Sequence, residues 1–209
     1  MFNKRFVLIF VLSVTAGFLF SFYKSSGDGA RKVPAEAGKE AVMKSANGKY
    51  ETATLAGGCF WGMEEILRKT PGVTGALVGY TGGSFGNPGY EDVKSGKTGH
   101  AESVEITFDP ERLSYGALLD LFFRMHDPTT PNRQGNDIGT QYRSAIFYHG
   151  EAQKKEAEAA VERARASGRW KRPITTEIVP AGKFWPAEES HQDYLQKHPG
   201  GYTCHYIRE

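Results

Sequence analysis

The stretch Glu102-Ser103-Val104-Glu105-Ile106-Thr107-Phe108-Asp109-Pro110, followed by Leu118, Leu121, Phe122 and Met125, decides the fold. Apolar and polar residues alternate over 103–108, the period of a strand with one buried face. Asp109-Pro110 ends that strand. Leu118, Leu121, Phe122 and Met125 then recur at i, i+3, i+4 and i+7, the stripe of a helix lying on a sheet, and Asp127-Pro128 closes it. Such a strand and such a helix each bury their apolar side most simply by stacking in two layers.

Outward from this unit the same two periods interleave. Residues 52–56 are β-like and enter Gly57-Gly58, and 59–67 reads as a helix stopped by Pro71-Gly72. Residues 73–80 form a second strand and 144–148 another. The Ala/Glu/Lys/Arg run 151–166 is a helix, with Glu151 and Lys155 paired at i,i+4 and Gly168 beyond its end. Residues 175–179 give the last strand and 186–197 the last helix. The Gly/Ser/Asn/Pro-rich stretch 81–99 is a long loop of the kind that tends to carry function. The pattern predicts an α/β or α+β two-layer domain with a mixed sheet.

Upstream, Lys4 and Arg5 precede an uncharged run over 6–23, the arrangement of a signal peptide or a membrane anchor. Its length falls between a secretory apolar region and a full span, so both readings stand. Positive residues before the run place the domain outside the cytoplasm. Residues 25–49 hold no aromatic residue, Leu or Ile and read as a flexible tether. The division is therefore 1–24 signal or anchor, 25–49 linker, and 50–209 folded domain.

The chain is 209 residues long, 39% hydrophobic, with a formal net charge of +2, which excludes wholesale disorder. Residues 1–49 carry eight basic and three acidic groups, leaving 18 basic and 21 acidic for the rest. The domain is thus slightly acidic and lacks a footprint for nucleic acid. Two cysteines build neither a disulfide scaffold nor a zinc site, and the six histidines show no metal-ligand spacing, so no metal is expected.

Three positions stand out chemically. Cys59, in Gly57-Gly58-Cys59-Phe60-Trp61-Gly62, lies where a strand becomes a helix, so free amides and the helix dipole would favour a thiolate. The flanking glycines would let backbone approach a ligand, and Phe60-Trp61 offers an aromatic wall. A buried structural thiol is the bland alternative. Glu102 shares a strand face with Val104, Ile106 and Phe108, where desolvation would keep it protonated, whereas Glu105 should be an ordinary solvated charge. The competing reading leaves Glu102 exposed at a frayed strand start. Cys204 lies in the glycine-rich, mobile end Gly200-Gly201-Tyr202-Thr203-Cys204-His205, either as half of a static disulfide or as a resolving thiol for an oxidised Cys59. Tyr90 and the segment Gln134 to Arg143 could present hydroxyls and amides, although by themselves they read as solvated loops.

Together these motifs resemble the type A peptide methionine sulfoxide reductases from about Thr52 to Tyr206. The resemblance rests on Gly57 to Gly62, Gly79-Tyr80-Thr81-Gly82-Gly83, Tyr90 with Val93, Thr98-Gly99-His100-Ala101-Glu102, and Phe108-Asp109-Pro110. Gln134-Gly135-Asn136-Asp137, Gly139, Gln141-Tyr142-Arg143-Ser144, and His191-Gln192 with Tyr194-Leu195 complete it. The fold class is then α+β: a two-layer α/β sandwich with a central mixed sheet and a ferredoxin-like core, after the N-terminal apolar segment. The resemblance implies reduction of (S)-methionine sulfoxide, free or in oxidised proteins, without a cofactor. Cys59 would be the nucleophile and Glu102 the acid, Tyr90 and Tyr142 would hold the sulfoxide oxygen with Asp137 in support, and Phe60 and Trp61 would hold the methyl group. Cys204 would resolve the Cys59 sulfenic acid into a disulfide reduced by thioredoxin or a thioredoxin-like partner. An exported cysteine hydrolase acylated at Cys59, and a membrane-tethered binding module with a permanent disulfide, are the other readings.

Overall fold

The structure, a computed structural model, describes residues 49–209. The signal or anchor over 1–24 and the tether over 25–49 lie outside the described residues, Lys49 excepted. Among the described residues no helix is long and apolar enough to cross a membrane.

The elements run β1 (Glu51–Gly57), α1 (Phe60–Arg68), β2 (Val73–Thr81), α2 (Tyr90–Lys94), β3 (Ala101–Phe108), α3 (Tyr115–Met125), β4 (Arg133–Gln134), β5 (Asp137–Ile138) and a 3₁₀ turn (Thr140–Tyr142). They continue with β6 (Ser144–Tyr148), α4 (Glu151–Ala166), β7 (Glu177–Pro180), β8 (Trp185–Pro186) and α5 (Tyr194–Lys197). The main sheet has the order β7-β6-β1-β3-β2-β8, and β4-β5 form a small ribbon. Only the β6–β7 pair of the main sheet is parallel, so the sheet is mixed. Within it, with α2, the β4-β5 ribbon and the 3₁₀ turn as insertions, β1-α1-β2-β3-α3-β6 make a β-α-β-β-α-β unit with β1 between β6 and β3.

Alternation decides which face takes the helices. Ala53, Leu55, Val78, Val104, Ile106, Phe108 and Ile146 join one buried cluster with Phe60, Met63 and Leu67 of α1, Leu118, Leu119 and Phe122 of α3, and Ala157, Ala160 and Val161 of α4. Burying each large side chain contributes about 1.5–3 kcal/mol. The reverse face is lined by small residues, Ala56, Ala101 and Ala145, around Phe147. Ser114 starts α3 by accepting from the Ala117 amide at 3.2 Å, a cap of the kind worth about 1 kcal/mol.

Several expectations need correction. The helix expected over 186–197 is only Tyr194–Lys197. Before it, Gln192 acts as a side-chain strand, its Oε1 accepting from the Val78 amide at 3.0 Å and its Nε2 donating to the Val78 carbonyl at 2.9 Å. Asp193, at φ 52°, breaks any helix through that point. Pro186 belongs to β8. The strand expected over 175–179 is β7, which begins at Glu177; β8 follows it, and the long loop contains α2. Glu105 is not freely solvated: it lies in β3, with strands on both sides, and its burial raises its pKa. The C-terminal end, expected to be mobile, is strapped down by the Arg208 amide on the Arg124 carbonyl at 2.9 Å and by Arg169 Nε on the Glu209 carbonyl at 2.9 Å.

Candidate active site

The site forms where β1 turns into α1, β3 begins, and three loops meet. Cys59 precedes the first residue of α1, is 6% exposed, and makes no capping bond with its side chain. The next amide, Phe60 N–H, donates to Glu102 Oε2 at 3.1 Å, and the Trp61 amide faces the Cys59 sulfur. Glu102 is placed on the helix-covered face by the β2–β3 register, opposite Tyr80, and is 2% exposed. Burial, reinforced by the charge of Asp137 and opposed by the Phe60 amide, pushes its pKa up to about 8. Glu102 therefore keeps its proton at neutral pH, and the frayed, exposed alternative is removed.

Cys59 departs from expectation. Burial, then the Glu102 carboxylate, and more weakly Cys204 and Asp137, raise its thiol pKa far above the ordinary 9.0, and the Trp61 amide only partly offsets them. The helix start does not favour a thiolate here, because one amide cannot compensate a dry, acid-lined site.

Asp137 opens β5 and Tyr142 ends the 3₁₀ turn. The Tyr90 hydroxyl, at the start of α2, is raised by burial and by the charges of Glu102, Cys59 and Asp137. Tyr142 is raised by burial and the same set, with Tyr90. The expected catalytic residues thus share one electrostatic environment. Cys204 joins them from the C-terminal strap: its sulfur lies within the field of Asp137, and the Cys59 amide is directed at it. Burial and Asp137 push its pKa up to about 12. Both cysteines are free thiols in this structure.

Aromatic rings wall the site. Trp61 stacks on Tyr194 at 3.7 Å and donates from Nε1 to His191 Nδ1 at 3.1 Å. His191 lies 4.4 Å from the Tyr90 ring, and Phe60, fully buried, lies 5.5 Å from His191. Glu188 fixes the far side, accepting from the Tyr90 amide at 2.9 Å and from the Tyr80 hydroxyl at 3.0 Å. Sequence reasoning assigned no role to Glu188, His191, Tyr194, Tyr202 or His205. Of these, only His191 and Tyr194 had a signal, as part of the C-terminal motif.

The 134–143 segment is solvated only in part: 135, 136, 138 and 140 are exposed, but its two glutamines are buried. Gln134 is buried and clasps Asp127 through its amide and carbonyl, both at 3.1 Å, and Gln141 Nε2 donates to the Lys94 carbonyl at 3.2 Å. The glycines before Cys59 serve packing. A side chain on Gly57 would meet Phe122 at 3.0 Å, and one on Gly58, at φ +110°, would meet Gln134 at 2.6 Å.

Two free thiols that act on one another electrostatically, beside a carboxyl that holds its proton, are the groups of a cysteine-based oxidoreductase. Acyl transfer would have no use for the second thiol. The chain belongs to the peptide methionine sulfoxide reductase family, whose profile matches residues 51–209. It is 55% identical over 159 residues to peptide methionine sulfoxide reductase MsrA of Mycobacterium sp. (strain MCS), covering 76% of this chain and 91% of that one. Among solved structures it resembles Mxr1 from Saccharomyces cerevisiae in reduced form, with TM-score 0.74 and 41% identity over 78% of this chain and 94% of that chain. It also resembles Mxr1 in complex with Trx2, with TM-score 0.53 and 30% identity over 78% and 92%.

Proposed function

We propose that this chain is a thiol-dependent reductase that converts (S)-methionine sulfoxide, free or in oxidised proteins, to methionine and is recycled by thioredoxin or a thioredoxin-like protein. The observation that carries the reading is the buried, protonated Glu102 held beside Cys59 by the Phe60 amide. A sulfoxide oxygen leaves only after protonation, and a buried carboxyl that titrates at about 8 holds that proton at neutral pH.

The thioether methyl packs against Phe60 and Trp61, and the Tyr90 and Tyr142 hydroxyls hold the sulfoxide oxygen, with Asp137 supporting them. The Cys59 sulfur attacks the sulfoxide sulfur as Glu102 gives its proton to the oxygen, and the thiol's own proton refills Glu102. Methionine departs and Cys59 is left as sulfenic acid. Cys204 then attacks that sulfur, forming the Cys59–Cys204 disulfide and water, and an external dithiol reduces the disulfide. The complex of Mxr1 with Trx2 supports a partner of this kind.

The apolar run over 6–23 supports placement outside the cytoplasm, either anchored or released after cleavage. There the reductant must itself be exported or be fed with electrons across the membrane. Fractionation that recovers the full-length chain in the cytosol refutes this placement.

The test of activity is the prereduced full-length protein mixed with peptides carrying separated R and S sulfoxides, followed by mass spectrometry. Loss of one oxygen from the S epimer alone, abolished in Cys59→Ser, is expected. A folded, reduced protein that reduces neither epimer refutes the reading.

A further inference from the structure

The disulfide-forming step needs a group to take the Cys204 proton, and the sequence places a histidine directly after that cysteine. In extended chain, neighbouring side chains point apart. Here they meet: Cys204 Sγ lies 3.4 Å from His205 Nδ1. The other ring nitrogen, Nε2, is 2.8 Å from the Gly57 carbonyl oxygen. A carbonyl can only accept, so Nε2 carries the hydrogen and Nδ1 presents its lone pair to the Cys204 thiol.

The ring is held by the catalytic motif itself. A side chain on Gly62 would collide with Thr203 Oγ1 and come within 2.7 Å of His205 Nδ1, and one on Gly58 would come within 3.2 Å of His205 Cε1. The His205 amide donates to Thr203 Oγ1 at 3.1 Å, and the residue is only 6% exposed. These glycines therefore open the slot that docks His205 against the residues flanking Cys59.

We propose that His205 is a catalytic residue of the resolving step: its Nδ1 takes the proton of the Cys204 thiol as that sulfur attacks the Cys59 sulfenic acid. The proposal rests on the reductase reading above. The Cys204 S–H bond breaks toward Nδ1, the Cys204–Cys59 S–S bond forms, and the Cys59 S–O bond breaks. The departing hydroxide takes the proton back from the imidazolium and leaves as water, so the imidazole ends neutral. The ring, lowered to about 4 by burial, starts in the base form and returns its proton readily. The Asp137 charge raises the Cys204 thiol, and Arg208 acts with burial to keep the resting ring neutral.

The test uses the full-length protein and His205→Gln, which keeps a donor for the Gly57 carbonyl but cannot carry the proton. Prereduced protein receives one equivalent of (S)-sulfoxide peptide, with methionine and the intramolecular disulfide followed separately and sulfenic acid trapped with dimedone. The variant is expected to release methionine at the parent's rate, to form the disulfide at least tenfold more slowly, and to accumulate trapped Cys59; general bases contribute about 10²–10⁴-fold. Disulfide formation at the parent's rate assigns the proton to Asp137 or water and overturns the proposal. A parent protein that forms no methionine overturns the reductase reading itself. Nitrogen-15 NMR of the unmutated protein supplies the arm that no folding defect can spoil: Nδ1 unprotonated and Nε2 protonated is expected, and the reverse tautomer overturns the proposal.

Discussion

Replacing Glu102 by Gln should make the protein more stable while removing its activity. In the folded chain Glu102 titrates at about 8 rather than at the ordinary 4.5, because it is buried beside Asp137. Between those two values the unfolded chain has lost the proton and the folded chain still binds it. Stability therefore falls as pH rises, and the loss is complete above about pH 8. At 1.36 kcal/mol per pH unit the cost is about 3 kcal/mol at pH 7 and about 5 kcal/mol above pH 8. Gln cannot ionise, and its carbonyl can still accept from the Phe60 amide, so the variant should escape this cost. Urea unfolding at pH 5, 7 and 8.5 measures it: the gain should be under about 1 kcal/mol at pH 5 and grow toward those values. The single-turnover rate of Glu102→Gln should fall by about 10²–10⁴-fold, and the parent's decline above pH 8 should be absent from the residual activity. A variant that is destabilised by the same amount at every pH would mean that Glu102 is ionised in the fold, and the assigned proton donor would be wrong.

Cys204→Ser should retain one stoichiometric reduction of sulfoxide and lose thioredoxin-supported cycling; full cycling would remove Cys204 from the mechanism. Gly62→Ala, whose added carbon would collide with Thr203 and crowd His205, should displace the C-terminal strap and slow disulfide formation while methionine release survives. Cys59 in the substrate-free protein at pH 7 should react with iodoacetamide at least tenfold more slowly than a free cysteine peptide, because burial holds it below the roughly 1% thiolate of a thiol with pKa 9. Trp61→Phe, which removes the indole donor to His191 and most of the stack on Tyr194, should raise KM for the sulfoxide more than it lowers kcat.

The elements legible in the sequence were those whose period matched their burial. The α4 helix was read at its observed bounds, and the alternation over 103–108 correctly put Glu102 on the covered face. What escaped was built by side chains acting as backbone. Gln192 pairs with Val78 as a strand would, and Gln134 clasps Asp127, so polar residues that score as loop or helix are in fact buried partners. The positions of Tyr90, Asp137, Tyr142 and Cys204 around Cys59 depend on how three separate loops return to one sheet end, and no local pattern encodes that. His205 stands next to Cys204 in the sequence, but the slot that turns its ring onto that sulfur is opened by Gly58 and Gly62 and closed by the Gly57 carbonyl, all far away along the chain.

The raised thiol and the raised carboxyl are two consequences of one arrangement. A site dry enough to keep Glu102 protonated also denies Cys59 the solvation a thiolate needs, and Asp137 acts on both in the same direction. An activated resting thiolate would react with any oxidant or electrophile that reached it. With the nucleophile held protonated until a sulfoxide brings an oxygen to accept the Glu102 proton, activation and substrate recognition become one event. Cys204, pushed up by burial and the same Asp137, is restrained likewise. Once methionine has left, however, no sulfoxide remains to accept a proton. The resolving step therefore needs an acceptor of its own, and the chain places a neutral imidazole against that sulfur.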